Sequence, residues 1–560
     1  MPRSLLSILY VCLFVGQVFS QPATSSKGMV SSAQALASSA GVEMLSMGGN
    51  AIDAAVATGF ALAVVHPTAG NIGGGGFMVI RFADGQSSTI DFRETAPKAA
   101  HRDMYLNADG SVDPQKSLVG YLASGVPGSV AGLCMALEKY GTLPLATILE
   151  PAIKLAEQGF SVTLGQEKDF KRLVKQFSTF PATAEKFLKK DGTPYREGEI
   201  WRQPDLARTL TLIKEQGPKA FYQGEIARLI AQSMQENGGL ITLQDMADYQ
   251  AIERDPLVGR YKNYQIISMP PPSSGGIALL QMLELIRPFS VSRMDRQGSA
   301  YIHVLVEAMR LAFADRAEFL GDPDFNDIPV QELLSPEYLA ERRNLIDLEK
   351  AGISTPGTHG HPRKEPIETT HFSVADHNGM AVAVTTTLNG GYGSFVVIEG
   401  AGFLMNNEMD DFTAKPGVPN MFGLIQGEAN AIEPYKRMLS SMTPTIVTQD
   451  SSLFLITGSP GGPTIINTVL HTIVNTIEFN MPLDQAINFP RFHHQWMPDE
   501  IVYESPGIRK IVLDRLSERG HSLRARSSIG NVHAIAFDQD SKRFIGVADK
   551  RGEGKAMGVP

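Results

Sequence analysis

The stretch that most constrains the fold of this chain is TTHFSVADHNGMAVAVTTTLN, residues 369–389. Two runs with many apolar and β-branched residues, 371–376 and 380–388, flank a His-Asn-Gly turn. Asn-Gly supplies the positive φ angles that a tight connection needs, so the stretch predicts a β-hairpin. The segment before it, GTHGHPRKEPIE, is polar and contains two prolines, which a central strand excludes. Thr369 and Thr370 therefore stand where an exposed loop meets a buried strand.

A threonine at such a boundary has two interpretations. Most Thr-Thr pairs are simply the start of a strand. The alternative is catalytic, because a threonine hydroxyl becomes a competent nucleophile when a base lies beside it. Cleavage of the chain before the threonine provides that base as a free α-amine. The motifs elsewhere in the chain decide between the two interpretations.

The bulk composition narrows the class of protein. The chain has 560 residues, 43% of them hydrophobic and 19% charged, which is ordinary for a globular protein. Its length allows a pair of large domains or one intertwined α/β body. The net charge of −9 and the lack of a basic run argue against a general nucleic-acid binder.

The first twenty residues predict a secretory signal peptide. Arg3 gives a positive start, a mostly apolar run follows, and Ser20 is a small residue before the expected cleavage point. A single membrane anchor is the alternative, but the apolar run is short for a span. Cys12 falls inside this segment, so the mature chain keeps only Cys134 and has no internal disulfide or cysteine metal site. These features suit a bacterial periplasm or culture medium.

The order of patterns along the chain predicts a layered α/β body. Residues 29–65 and most of 124–250 have helical periodicity. Glycines 73–76 superficially suggest a phosphate loop, but a strand follows them rather than a helix, which favours a crowded turn into a core strand. Several strand pairs lie between the helices, indicating antiparallel strands inside.

Seven short motifs, in order, resemble those of the γ-glutamyltransferase (glutathione hydrolase) family of the N-terminal-nucleophile hydrolase superfamily. They are FRETAP, MPPPSSGG, TTHFSV, TTTLN, NNEMDDF, LSSMTPTIV and GSPGG. The resemblance covers essentially the whole mature chain and implies a four-layer αββα sandwich. It also implies autocatalytic cleavage between Glu368 and Thr369, giving a large subunit of residues 21–368 and a small subunit of residues 369–560.

The resemblance implies a role for each matched residue. Thr369 corresponds to the nucleophile and Thr387 to the threonine whose hydroxyl bonds to it. Gly461 and Gly462 correspond to the oxyanion hole, where backbone N–H groups approach the substrate with no Cβ in the way. The γ-glutamyl group carries a carboxylate and an ammonium at its far end, and the residues that match these two subsites are Arg93, Ser440 and Ser441 for the carboxylate and Asn389, Glu408 and Asp411 for the ammonium.

Two positions depart from the pattern of many bacterial members. Glu408 stands where many of them have Gln, which alters the charge of the pocket. Phe422 stands in the lid loop, residues 412–434, where several of them carry a Tyr whose hydroxyl bonds to the residue matching Asn389. Since Phe lacks that hydroxyl, we expect a more open lid and an acyl-enzyme that water reaches easily.

The implied function is hydrolysis of glutathione and other γ-glutamyl compounds, and transfer of the γ-glutamyl group to amino acids or dipeptides. This acyl transfer needs neither a metal nor an organic cofactor. The pair His493-His494 suggests a metal site, but adjacent strand residues point opposite ways, so we interpret it as structural. The alternatives are a cephalosporin (glutaryl) acylase of the same family and a catalytically dead exported amino-acid-binding protein. No nucleic-acid partner and, after removal of the signal, no membrane association is expected.

Overall fold

The computed structural model describes residues 22–354 and 369–560, and two seven-stranded antiparallel sheets form its centre. The predicted signal peptide and Glu368 lie outside the described residues. The first sheet contains the predicted hairpin in its middle, and its strands in spatial order are Lys555–Gly558, Gly28–Ser32, Thr370–Asp376, Ala381–Thr387, Gly75–Arg81, Ser87–Asp91 and Ile252–Arg254. The second sheet, again in spatial order, consists of Ala23–Ser25, Arg543–Ala548, His533–Asp538, Ser452–Thr457, Thr445–Gln449, Tyr264–Ser268 and Leu257–Tyr261.

Helices cover the outer faces of both sheets. Those from the first half of the described chain are Ala35–Ser46, Ala51–Val65, Pro114–Leu118, Ser129–Tyr140, Leu145–Gln158, Leu164–Phe177, Pro181–Phe187, Pro204–Gln216, Lys219–Tyr222, Glu225–Asn237 and Leu243–Asp248. The later helices are Gly275–Ile286, Ser299–Phe319, Val330–Leu333, Pro336–Arg343, Thr464–Glu478, Leu483–Asn488 and Lys510–Glu518. Two small sheets complete the fold, one of Phe492–His493, Ile501–Glu504 and Leu523–Arg526, the other of Phe160–Ser161 and Ile200–Trp201.

Side-chain alternation along the strands creates three apolar layers. In the strand Gly75–Arg81, Phe77 and Val79 pack into a cluster between the two sheets, while Met78 and Ile80 pack against helices on the opposite face. This follows from the strand period of two, which sends neighbouring side chains to opposite faces. A separate cluster joins the second sheet to the helices Gly275–Ile286, Ser299–Phe319 and Thr464–Glu478. The predicted four-layer αββα sandwich is confirmed.

Most predicted elements are present, and one is wrong. Residues 29–32, predicted as the start of a helix, belong to the strand Gly28–Ser32, because they pair with strands on both sides. Small residues such as Ser31 fit a helix pattern locally, and only the distant partners select the strand. The hairpin turn is also simpler than predicted, since Gly379 takes a positive φ but Asn378 does not.

Among the described residues, no helix combines the length and the apolar character needed to span a membrane.

Candidate active site

Thr369 lies at the head of the central hairpin with its side chain directed into the protein. Only 7% of the residue is exposed, and its hydroxyl lies 3.4 Å from the hydroxyl of Thr387 at the end of the partner strand. The hairpin register brings the two hydroxyls together. Thr370 pairs with Thr386, so Thr369, one residue before Thr370, lies beside Thr387, one residue after Thr386. Thr387 Oγ1 also accepts a hydrogen bond of 2.8 Å from the backbone N–H of Asn389.

A buried asparagine that sequence reasoning missed holds the end of this strand. Asn71 donates to the carbonyl oxygen of Thr387 at 2.8 Å, while its own carbonyl oxygen accepts from the Gly74 amide at 2.9 Å. A Cβ on Gly74 would lie 2.1 Å from the Thr387 oxygen, so this position requires glycine. The glycine run is therefore a close backbone approach, as predicted. No motif marks Asn71 in the sequence, and only the folded arrangement reveals its role.

Arg93 follows the strand Ser87–Asp91, which is two places from the strand of Thr387 in the same sheet, and it is fully buried. Its guanidinium donates to Glu408 Oε1, to Asp411 Oδ2 at 2.5 Å, and to the backbone oxygen of Met438 at 3.2 Å. Glu94 adds a third carboxyl group 3.7 Å away. The predicted carboxylate-binding arginine thus holds two of the predicted ammonium-binding residues.

Three carboxyl groups around one guanidinium cannot all be ionised at little cost. Burial lowers the pKa of Arg93, but Glu408 and Asp411 raise it, and the net effect is a rise. Burial raises the pKa of both Glu408 and Asp411, although Arg93 opposes this. Burial likewise raises the pKa of Glu94 to about 8, and neither of its oxygens has a hydrogen-bond partner among the described residues. The raised pKa favours the protonated form of Glu94 at neutral pH, while Arg93 remains a cation.

Ser440 and Ser441 form the wall of the cleft next to Arg93. Ser440 is 2% exposed and Ser441 8% exposed, and both line the cleft. The PPPSSGG turn holds this segment, since Ser273 Oγ donates to the Met442 oxygen and Ser274 Oγ to the Ser440 oxygen, each at 2.6 Å. The sequence motif therefore acts as a clamp on the two serines.

Gly461 and Gly462 lie where a strand of the second sheet leads into the helix Thr464–Glu478. Both have positive φ angles, 138° and 53°, which favour glycine. Within the described part of the chain, neither backbone N–H donates a hydrogen bond. The start of the helix adds a partial positive charge, so this corner suits a developing oxyanion. Gly462 lines the cleft, and Gly461 is its immediate neighbour.

Several contacts hold the lid loop over the cleft. Phe422 is only 5% exposed, and its ring packs so closely that a Cβ on Gly462 would lie 2.8 Å from it. Gln495 donates to the Phe422 oxygen at 3.1 Å, and Asn420 donates to Asp411 Oδ1 at 3.2 Å. These contacts hold Phe422 over the cleft in this structure, and the expected easier opening of the lid in the acyl-enzyme stays a prediction.

Asn389 contacts the lid loop through its side-chain amide. Its side-chain amide donates to the backbone oxygen of Asn407 at 3.1 Å and to Met421 Sδ at 3.5 Å. The lid residue next to Phe422 thus already contacts the residue that a tyrosine would reach.

One cleft collects nearly all the predicted site residues. Its lining contains Arg93, Thr369, Thr387, Asn389, Glu408, Asp411, Phe422, Ser440, Ser441 and Gly462. His493 and His494 lie elsewhere, and each has its own protein partners: His493 contacts Asn467 and Gln495, while His494 contacts Asp499 and the Trp496 amide. The two rings share no common partner among these contacts, as expected for structural residues.

Comparison with known proteins agrees with this geometry. The model of the family described as Gamma-glutamyltranspeptidase matches residues 37–559. A glutathione hydrolase proenzyme of Escherichia coli is 46% identical over 95% of this chain and 91% of its own length. Among solved structures, a cephalosporin acylase from Bacillus halodurans superimposes with a TM-score of 0.86 at 27% identity, covering 99% of both chains.

A second solved structure connects fold and family. The Helicobacter pylori gamma-glutamyltranspeptidase chain is 48% identical, with a TM-score of 0.55, and the match covers 56% of this chain and 90% of that chain. The sequence motifs, the αββα layers and these matches over nearly the full length all agree. The chain belongs to the γ-glutamyltranspeptidase family.

Proposed function

We propose that this chain catalyses γ-glutamyl acyl transfer with Thr369 as the nucleophile, after autocatalytic cleavage between Glu368 and Thr369. The observation that carries the proposal is the cleft that combines the Thr369–Thr387 hydroxyl pair with buried ionic residues of both signs. The freed α-amine is the base. Its reference pKa of about 7.7–8.0 lies close to neutral pH, so a small decrease suffices for efficient proton transfer.

The charges in the cleft suit an α-amino acid head group. A bound donor places its α-carboxylate on Arg93 and the two serines, displacing Glu408 and Asp411 from the guanidinium. Its α-ammonium then neutralises the displaced carboxylates, next to Asn389. The ion pairs between Arg93 and the two carboxylates are thus replaced by two new sets. Arg93 pairs with the donor carboxylate, the donor ammonium pairs with Glu408 and Asp411, and no buried charge is left without a partner.

The reaction then proceeds in two balanced steps. Thr369 Oγ attacks the γ-carbonyl carbon, its proton passes to the α-amine, and the amide oxygen becomes an oxyanion beside the Gly461 and Gly462 amides. One such donor contributes about 3–4 kcal/mol to the transition state. The C–N bond breaks, and the leaving amine takes the proton. Water or an acceptor amine then attacks the resulting ester and gives a proton to the α-amine. The ester C–Oγ bond breaks, the proton returns to Thr369 Oγ, and glutamate or a new γ-glutamyl amide leaves.

The cleft favours this function over the two alternatives. A glutaryl group lacks the α-ammonium, so a glutaryl acylase would leave Glu408 and Asp411 without a counter-charge when the substrate carboxylate occupies Arg93. A dead binding protein has no need of a nucleophile, whereas here Thr369, Thr387 and Gly462 all line the same cleft. Glutathione and other γ-glutamyl compounds are the proposed donors, with amino acids, dipeptides and water as acceptors.

The same proposal fixes the organisation of the mature protein. It consists of a large subunit from residue 21 to 368 and a small subunit from residue 369 to 560, which remain together as a heterodimer. The first twenty residues direct export, so we place the enzyme in the periplasm or the medium.

The test compares substitutions at two neighbouring threonines, Thr369 and Thr370. Thr369→Ala should leave a single uncleaved chain without activity, because one hydroxyl starts both reactions, and Thr369→Ser should still cleave. Thr370→Val is the control, since Thr370 is equally buried and its hydroxyl has no hydrogen-bond partner among the described residues. Denaturing gels report cleavage, and product analysis with glutathione, with and without glycylglycine, reports hydrolysis and transfer. A Thr369→Ala chain that still splits before residue 369 would contradict the proposal.

A further inference from the structure

A second buried guanidinium, that of Arg316, lies behind the cleft and is not part of the proposed reaction. Arg316, on the helix Ser299–Phe319, is only 2% exposed. It donates to Ser274 Oγ at 3.0 Å and, at 3.3 Å, to both Gln426 Oε1 and Ser441 Oγ. All three acceptors are neutral, and among the described residues no carboxylate lies within ion-pair distance of it. Sequence analysis did not single out Arg316. Its place in the mostly apolar run AMRLAFADRAEF, residues 308–319, is the sequence feature that indicates a buried arginine.

This charge persists at neutral pH despite its burial. Burial lowers the pKa of Arg316 to about 10, with Asp411 opposing the decrease and Arg93 adding to it. The nearest charges that act on it therefore belong to the donor-binding cleft. Arg316 and Arg93 together supply two cations to a region that contains Glu408 and Asp411 as its anions.

The hydrogen bonds from behind determine where the serine hydroxyls point. Ser440 Oγ accepts from the Met442 backbone N–H at 3.1 Å, and Ser441 Oγ accepts from Arg316. A hydroxyl that accepts from a fixed donor on one side directs its own proton toward the other. Both protons are then available to an anion in the cleft. For Ser441 the fixed donor is a cation, which also makes its hydroxyl a stronger donor.

Arg316 also links the two walls of the cleft. Gln426, which accepts from Arg316, donates to the backbone oxygen of Asp411 at 3.0 Å. Ser274, which also accepts from Arg316, donates to the backbone oxygen of Ser440 at 2.6 Å. One side chain thus sets the distance between the segment that carries the serines and the segment that carries Asp411.

We propose that Arg316 is a positioning residue that selects donors with an α-carboxylate, by directing the Ser441 hydroxyl into the cleft and placing an uncompensated positive charge behind it. The inference rests on the proposed γ-glutamyl transfer and deepens it. Arg316 does not line the cleft, and both its charge and its hydrogen bond act on the donor chiefly through the Ser441 hydroxyl.

The test separates binding from chemistry. Arg316→Met should raise the KM for a chromogenic γ-glutamyl anilide about tenfold to a hundredfold, the range for a hydrogen bond to a charged group, while kcat changes less than about threefold. Arg316→Lys should recover part of the KM, because the charge stays. Competitive inhibition adds a second readout: the inhibition constant of L-glutamate should rise with the KM, and that of 4-aminobutyrate, which lacks the α-carboxylate, should stay within about twofold.

Controls make each outcome decisive. Arg310→Lys alters another buried arginine on the same helix, paired with Glu307 at 2.6 Å, and should leave KM unchanged. The double variant Ser441→Ala, Arg316→Met should raise KM little more than either single substitution, because both substitutions remove the same Arg316–Ser441 hydrogen bond. Equal losses for both inhibitors, a fall in kcat at constant KM, or independent effects of the two substitutions would overturn the inference.

A variant that fails to mature and an inactive wild-type enzyme have different meanings for the inference. If Arg316→Met fails to yield the two bands of a mature enzyme, Arg316→Lys and its double variant with Ser441→Ala are judged by the same criteria. If the wild-type enzyme itself does not cleave the anilide, the proposed function fails, whereas an active wild type with unchanged KM in the variants refutes only the role of Arg316.

Discussion

Arg93→Lys tests the electrostatic account of the cleft most directly. Arg93 presents a planar fork that reaches Glu408 and Asp411 at the same time, with Met438 fixing its third nitrogen. Lysine keeps the positive charge but has one nitrogen at the end of a flexible stem, so it cannot hold a carboxylate in a bidentate pair. The substitution therefore removes one charge-assisted hydrogen bond from the bound donor.

The expected magnitude follows from that single bond. A hydrogen bond to a charged group contributes about 1.5–3 kcal/mol, which corresponds to a rise in KM of roughly tenfold to over a hundredfold. The effect on kcat should be small, since the reacting carbonyl lies at the other end of the donor. Steady-state kinetics with a γ-glutamyl anilide measure both constants, and a denaturing gel shows whether the variant matures.

The matched control is another buried arginine close to the cleft but outside it. Arg437 is 6% exposed and lies 3.4 Å from Asp91. Arg437→Lys should lower thermal stability and leave KM within about twofold. An unchanged KM in Arg93→Lys, or equal KM changes in both variants, would assign Arg93 to the fold rather than to the donor.

Two other predictions concern pH and the lid. Burial raises the pKa of Glu94 to about 8, so its negative charge develops as the pH rises through that value. This anion would then compete with the donor carboxylate for Arg93, so KM should rise above pH 8 in the wild type and rise less in Glu94→Gln; parallel KM–pH profiles would contradict this. Phe422→Tyr should lower the ratio of glutamate released to γ-glutamyl-glycylglycine formed by no more than about threefold, since one neutral hydrogen bond contributes about 0.5–1.5 kcal/mol and other contacts already close the loop. A larger change, or a rise, would mean that the loop opens during turnover.

The sequence predicted the hairpin, the sandwich and the positions of the site residues for identifiable reasons. The Thr369–Asn389 stretch carries a strong strand pattern with a glycine turn, and the short motifs each belong to a segment that lines or clamps the cleft. Residues 29–32 were assigned to a helix because their small side chains favour neither structure, and their strand depends on partners hundreds of residues away.

The details of the site depend on contacts that no local pattern contains. Asn71 and Arg316 act through hydrogen bonds to segments more than a hundred residues distant. The contact between Gln495, which lies in a separate loop, and the backbone oxygen of Phe422 in the lid is likewise absent from any local pattern. The pairing of Arg93 with Glu408 and Asp411 is likewise visible only when all three side chains are placed together.

The strand order of the first sheet has a consequence for the timing of maturation. The strand Thr370–Asp376 pairs on one side with Gly28–Ser32, and its hairpin partner pairs with Gly75–Arg81, so segments from both sides of residue 369 alternate across one sheet. In the second sheet, Ala23–Ser25 pairs with Arg543–Ala548 near the opposite end of the chain. Neither half contains all the strands of either seven-stranded sheet, so a cut before Thr369 that came ahead of folding would leave two fragments with unpaired strand edges, prone to aggregate. We therefore expect the peptide bond to break last, in an assembled body, and two separately expressed halves to be a poor substitute for the single precursor.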